Sequence, residues 1–150
     1  STSSHADRFN EKLELAKQGD PHAQWFVGIL YSSGQGITEN DEAAIMWYTK
    51  AAEQGDARAQ HSLGTTYDSD GALGHSGRTR VQPDDKVAMI WYTKAADQGF
   101  AIAQYRLGLM YDSGRAGEED DKTAVMWYTK AAEQGSVDAQ NELGFKLDCN

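Results

Sequence analysis

The chain has 150 residues, 39 % apolar and 25 % charged, and its 23 acidic residues outnumber 14 Lys and Arg for a net charge of −9. That balance describes a folded globular chain, and it argues against nucleic acid or an anionic membrane surface as partner, since both need clustered Lys and Arg. No apolar run approaches the roughly 20 residues of a membrane-spanning helix.

Ser1-Thr2-Ser3-Ser4-His5 has neither an initiator Met nor an apolar signal core, so a processed mature form or an excised piece of a longer chain is expected. From Asp7 to Gln18, Phe9, Leu13 and Ala16 fall on one helical face, and Gly19-Asp20-Pro21 follows. This is the second half of a truncated unit, 7–20. Pro21 suits a first helical turn, where its missing N–H is not needed, and a helix is predicted from Pro21 to about Ser33. After the loop Ser33-Gly34-Gln35-Gly36, Asn40-Asp41 supplies capping oxygens. Ala44, Trp47, Tyr48, Ala51 and Ala52 then mark the buried face of a second helix, and Gly55 can take the left-handed conformation that ends it.

That unit, 21–56, returns. Trp47-Tyr48-Thr49-Lys50-Ala51-Ala52 recurs at Trp91 to Ala96 and at Trp127 to Ala132, intervals of 44 and 36 residues. Asp84-Asp85 and Asp120-Asp121 precede these copies, and Gly99 and Gly135 follow them. Ala-Gln pairs at 23–24, 59–60, 103–104 and 139–140 mark four first helices. Each pair is followed by Val27-Gly28, Leu63-Gly64, Leu107-Gly108 or Leu143-Gly144. Glycine within a helix costs about 1 kcal/mol against alanine, so its regular return predicts a close helix approach. Units 57–100 and 101–136 follow, and a lone helix from Val137 to about Asp148 forms a polar C-terminal cap, 137–150. The middle unit carries eight extra residues within Asp70 to Pro83, a position where solenoids often place contact sites. The predicted fold is all-α, about eight helices in antiparallel pairs stacked as an α-solenoid.

The repeated pattern, Ala-x3-Leu-Gly-x2-Tyr, a Gly-rich loop, then Trp-Tyr-x-Lys-Ala-Ala-x-Gln-Gly, resembles the Sel-one-like repeats, relatives of tetratricopeptide repeats, over roughly residues 9 to 148. The resemblance implies a right-handed superhelix whose first helices line a concave surface. It also implies adaptor roles in protein assemblies, and export to the periplasm or beyond the bacterial cell rather than a cytoplasmic location. A cysteine-rich branch of the family is linked to β-lactam and peptidoglycan-like substrates, and this chain lacks that branch's paired cysteine in each repeat.

Positions identical among the internal copies serve the stack, so Trp47, Trp91 and Trp127 and their neighbouring tyrosines are expected in the core. The variable stripe is Trp25, His61, Tyr105 and Asn141, with Ile29, Thr65, Leu109 and Phe145 one turn on. By the resemblance this face lines the groove, edged by Ser32, Asp68, Asp112 and Asp148. The alternative for the stripe is packing between units. An aromatic floor with an acidic edge suits a peptide carrying apolar anchors and some positive charge.

Catalytic signals are few. His5, His22, His61 and His75 lack metal-binding spacing, Cys149 is the single cysteine, and no nucleophile elbow or phosphate-binding loop occurs. No metal or cofactor is expected. Asp68-Ser69-Asp70-Gly71 resembles a calcium loop only at its start, and His75, Arg78 and Arg80 make the insertion locally basic. The expected function is a non-enzymatic scaffold, monomeric, binding a protein or peptide in its groove. Two alternatives stand beside it: a hydrolase of cell-wall peptides or β-lactam-like amides using Asp68 and Asp112 across the groove, and a self-associating structural module.

Overall fold

The structure, a computed structural model, describes residues 2–35, 37–70 and 81–148. Among them are eight helices and no strand: α1 Thr2–Lys17, α2 Pro21–Ser33, α3 Asp41–Glu53, α4 Ala57–Tyr67, α5 Asp85–Asp97, α6 Ala101–Ser113, α7 Asp121–Glu133 and α8 Val137–Asp148. The helices form a solenoid in which each packs chiefly on its neighbours in sequence. α1 begins at Thr2 rather than Asp7, because no Gly or Pro interrupts the preceding residues. His75, Arg78 and Arg80 of the insertion, Gly71 at the end of the calcium-like run that begins at Asp68, and Cys149 lie outside the described residues.

Local chemistry sets the helix limits. Asp20, Asn40, Asp56, Asp84 and Asp120 each accept a first-turn backbone N–H, for example Ala23 to Asp20 at 2.7 Å. Tight turns after α1, α3, α5 and α7 pass through Gly19, Gly55, Gly99 and Gly135 at φ between 89° and 102°, a region closed to most side chains.

Small residues bring the helices together. Ala44, Ala51, Ala52 and Ala59 pack with Tyr48 and Leu63, and Ala88, Ala95, Ala96 and Ala103 with Tyr92, Leu107, Met110 and Trp127. In α2, α4 and α6 the glycine faces the tyrosine ring of the next helix: a Cβ on Gly28 or Gly108 would lie 2.6 Å from ring carbons of Tyr48 or Tyr128, whereas at Gly144 of α8, where the sequence predicts the same approach, it would meet nothing within 4 Å among the described residues. Gly64 meets Tyr92 more closely still. Trp47 and Trp127 are buried as expected, whereas Trp91 is only partly so. Lys50, Lys94 and Lys130 sit over the rings of Trp47, Trp91 and Trp127 at 4.9 to 5.8 Å, which gives the repeated lysine its role.

The repeated glutamines form a ladder through the stack. Buried Gln24, Gln60 and Gln104 donate to the carbonyls of Ala16, Ala52 and Ala96 at 3.1 to 3.2 Å. Their side-chain oxygens in turn accept from Gln54, Gln98 and Gln134 at 2.8 Å. Each unit thereby satisfies polar groups that its own helices leave open.

Candidate functional site

The variable stripe divides between junction packing and open surface. Trp25 is half-buried: its Nε1–H donates to Ser62 Oγ at 3.1 Å, and the Arg58 guanidinium lies 4.8 Å above its ring. With Ile29 it packs on the cluster of Ala44, Tyr48 and Leu63. His61 is wedged between Tyr92 and Phe100, ring centroids 5.8 and 5.3 Å away. Burial, with nearby Arg106, pushes its imidazole pKa down to about 4, so it is neutral at pH 7. Thr65 donates to the Ser62 carbonyl of its own helix. Tyr105 lies 6.0 Å from the Tyr128 ring and packs, with Leu109, on the cluster around Ala124 and Ala139. On α8, Asn141 is exposed and Phe145 is 72 % exposed.

At the expected acidic edge, two carboxylates are engaged within the chain. Asp68 is buried, 3 % exposed; it accepts from Tyr92 Oη at 2.8 Å and pairs with Nη1 of Arg115 from the next unit. Arg115 also approaches Asp70 at 3.5 Å and Asp85 at 3.8 Å. Burial alone would raise the Asp68 carboxyl, but its hydrogen bonds from Arg115 and Tyr92 hold it below the usual carboxylate range. Asp112 accepts from Tyr128 Oη at 3.1 Å and pairs with Lys146 Nζ at 2.6 Å. Both carboxylates are therefore held by a tyrosine and a cation instead of standing free toward a partner or as an acid–base pair. Ser32 occupies the same place in the first unit and hydrogen-bonds Tyr48. Asp112, Glu119 and Asp121 converge within 4.8 Å, and the Lys146 ammonium lies against two of them.

An open cleft of about 530 Å³ lies between α6, Asp70 beyond the end of α4, and the start of α8, lined by Asp70, Tyr105, Arg106, Leu109, Ser113, Arg115 and Asp138. It brings together two stripe residues, Tyr105 and Leu109; Trp25, Ile29, His61, Thr65, Asn141 and Phe145 are outside its lining. The stripe omitted Arg106 and Arg115. Arg106 stands where the other copies have Phe26, Ser62 and Glu142, and Arg115 where the first has Gln35, so comparison among copies contained the signal for both. The Arg106 Nε–H is buried without an acceptor among the described residues.

Known proteins share this fold. A Sel1 repeat protein from Oxalobacter formigenes superposes with a TM-score of 0.75 at 38 % identity, over 89 % of this chain and 95 % of that one. The protective antigen c5321 of uropathogenic Escherichia coli, described as displaying an SLR fold, gives a TM-score of 0.79 at 32 % identity over 93 % of this chain and 28 % of that one. Helicobacter pylori cysteine rich protein B, at 22 % identity and a TM-score of 0.67 over 89 % and 93 % of the two chains, shares the fold. The chitin synthase regulator SKT5 of Saccharomyces cerevisiae is 38 % identical over 72 residues, 48 % of this chain but only 10 % of that protein's length. The family model for the Sel1 repeat matches residues 21–56, 57–100 and 101–136; the chain belongs to the Sel1 repeat family.

Proposed function

We propose that this chain is a non-enzymatic scaffold that holds a protein or peptide partner on its first-helix face, centred on the cleft at Tyr105 and Leu109. Proteins built of Sel1 repeats are generally protein-interaction scaffolds. The observation carrying the reading is a division of labour: positions identical among the copies are spent on the glycine–tyrosine contacts and the glutamine ladder, whereas residues that change between copies meet at an open cleft. A preformed cleft binds with little ordering cost. Units 21–56, 57–100 and 101–136 form the scaffold in this reading, with α1 a half repeat and α8 the cap. Hydrolysis is the weaker reading, since Asp68 and Asp112 are each already engaged by a tyrosine and a cation.

The test is capture from source-cell lysate by wild type, by a Tyr105→Ala/Leu109→Ala variant, and by a Met46→Ala/Ile90→Ala variant. The last pair is exposed on the second helices, α3 and α5. A partner lost by the first variant and kept by the second is expected. A partner kept by the first and lost by the second would move the binding face to the second helices.

A further inference from the structure

We propose that the cleft selects a partner segment presenting a carboxylate beside an apolar side chain, the carboxylate anchored by Arg106 and the apolar group seated on Tyr105 and Leu109. This rests on the scaffold reading above and gives the partner's chemistry. It also reverses the sign expected from sequence, which pointed to a cationic peptide.

The reversal follows from where the charges are used. Asp68 is neutralised by Arg115, and Asp112 by Lys146, so the two acids expected to attract a cation are engaged inside the protein; Asp70, beside Arg115, and Asp138 remain on the cleft lining. The neighbouring cations are engaged by the same contacts: Arg115 with Asp68, Asp70 and Asp85, Lys146 with Asp112 and Asp121, and Arg58 with Asp56. Arg106 differs. It is half-buried, lines the cleft, and has neither ion pair nor hydrogen bond among the described residues, although the chain has 23 carboxylates to 14 Lys and Arg.

A partly desolvated guanidinium normally has a carboxylate or carbonyl partner, because an unmade hydrogen bond to a charged group is costly. No hydrogen bond joins it to the nearby imidazole of His61, whose Nε2 is likewise buried without a partner. Tyr105 and Leu109 lie one residue before and three residues after Arg106 on α6, so an incoming carboxylate would have an apolar surface at its side. A guanidinium fork matches a carboxylate with two parallel hydrogen bonds, which a single ammonium cannot reproduce.

Three pools of end-blocked heptapeptides test this, with Glu, Gln or Lys fixed at the centre and Leu, Phe, Ala and Ser randomised elsewhere, applied to the immobilised folded chain. Wild type should retain the Glu pool about tenfold over the Gln pool, as expected for one charge-assisted contact. Arg106→Gln should erase that preference and Arg106→Lys restore it only in part. Equal retention of all three pools, or preference for Lys, overturns the proposal; if that retention is lost in Tyr105→Ala/Leu109→Ala, the scaffold reading survives it. A folded wild type that retains no pool overturns the proposal and removes this cleft from the scaffold reading as well. The preference among pools is read on the wild type alone, so it does not depend on how any variant folds.

Discussion

The first and second junctions of the stack share a frame and differ in chemistry. In both, a glycine of the first helix meets the tyrosine ring of the second, Gly28 with Tyr48 and Gly64 with Tyr92, and both carry the same glutamine ladder. The tyrosine hydroxyls meet different ends. Tyr48 is joined to the hydroxyls of Ser32 and Ser62, and burial, with the nearby Asp41 charge, pushes the phenol up to about 12. Tyr92 donates to Asp68, which is itself paired with Arg115; burial and the Asp68 charge raise its phenol further. What repeats is the approach of the helices, and what varies is whether the polar group beneath is a hydroxyl or an ion pair. Loss of a neutral hydroxyl leaves one weak contact unmade. Loss of half a buried ion pair leaves a charge stranded.

The largest break in the comparison is predicted for Asp68→Ala. It leaves the Arg115 guanidinium, only 15 % exposed, facing a vacated site, and should cost about 3 kcal/mol in urea denaturation. Adding Arg115→Met should restore much of that loss. Next come the glycines, where the junctions should behave alike. Gly28→Ala and Gly64→Ala each gain helix propensity but drive a methyl into a buried ring, for a net loss of about 2 kcal/mol apiece.

His61 separates the junctions by pH, because its counterpart in the first unit is Trp25. Its pKa is depressed in the folded state to about 4. The unfolded chain therefore takes up a proton first as pH falls, and stability declines between about pH 6.5 and 4. About 3 kcal/mol should be lost across that window, and His61→Phe should flatten the slope. The smallest effect is Ser32→Ala, which removes one neutral partner of Tyr48 and should cost about 1 kcal/mol. An equal cost for Ser32→Ala and Asp68→Ala would dissolve the contrast between the junctions.

Much of this was legible in the chain. Periodicity shows which face of a helix its own unit buries, and it located Ala44, Tyr48 and Ala51; capping residues and turn glycines placed the helix ends. The recurring glycine signalled a close approach, which the tyrosine rings make at Gly28, Gly64 and Gly108 but not at Gly144. Contacts supplied by another unit were hidden. The partner of Asp68 is Arg115, 47 residues away in a loop, and no local pattern connects them, so Asp68 read as a groove edge. His61, a stripe residue by spacing, is wedged against Tyr92 and Phe100 from later in its own unit, a contact between helices that spacing along one helix does not show. Trp91 matched Trp47 letter for letter yet is less buried, because burial depends on what is stacked over it. Arg106 was visible as a variable position, but its missing partner is a property of the assembled cleft.

Whether a partner sits on the first-helix face is tested most directly by site-specific photo-cross-linking. A photoreactive residue at Leu109, in the cleft, is compared with one at Ile90, exposed on α5. Irradiation in source-cell extract should yield a discrete adduct from position 109 and none from position 90. An adduct from position 90 alone would contradict the account and assign binding to the second helices.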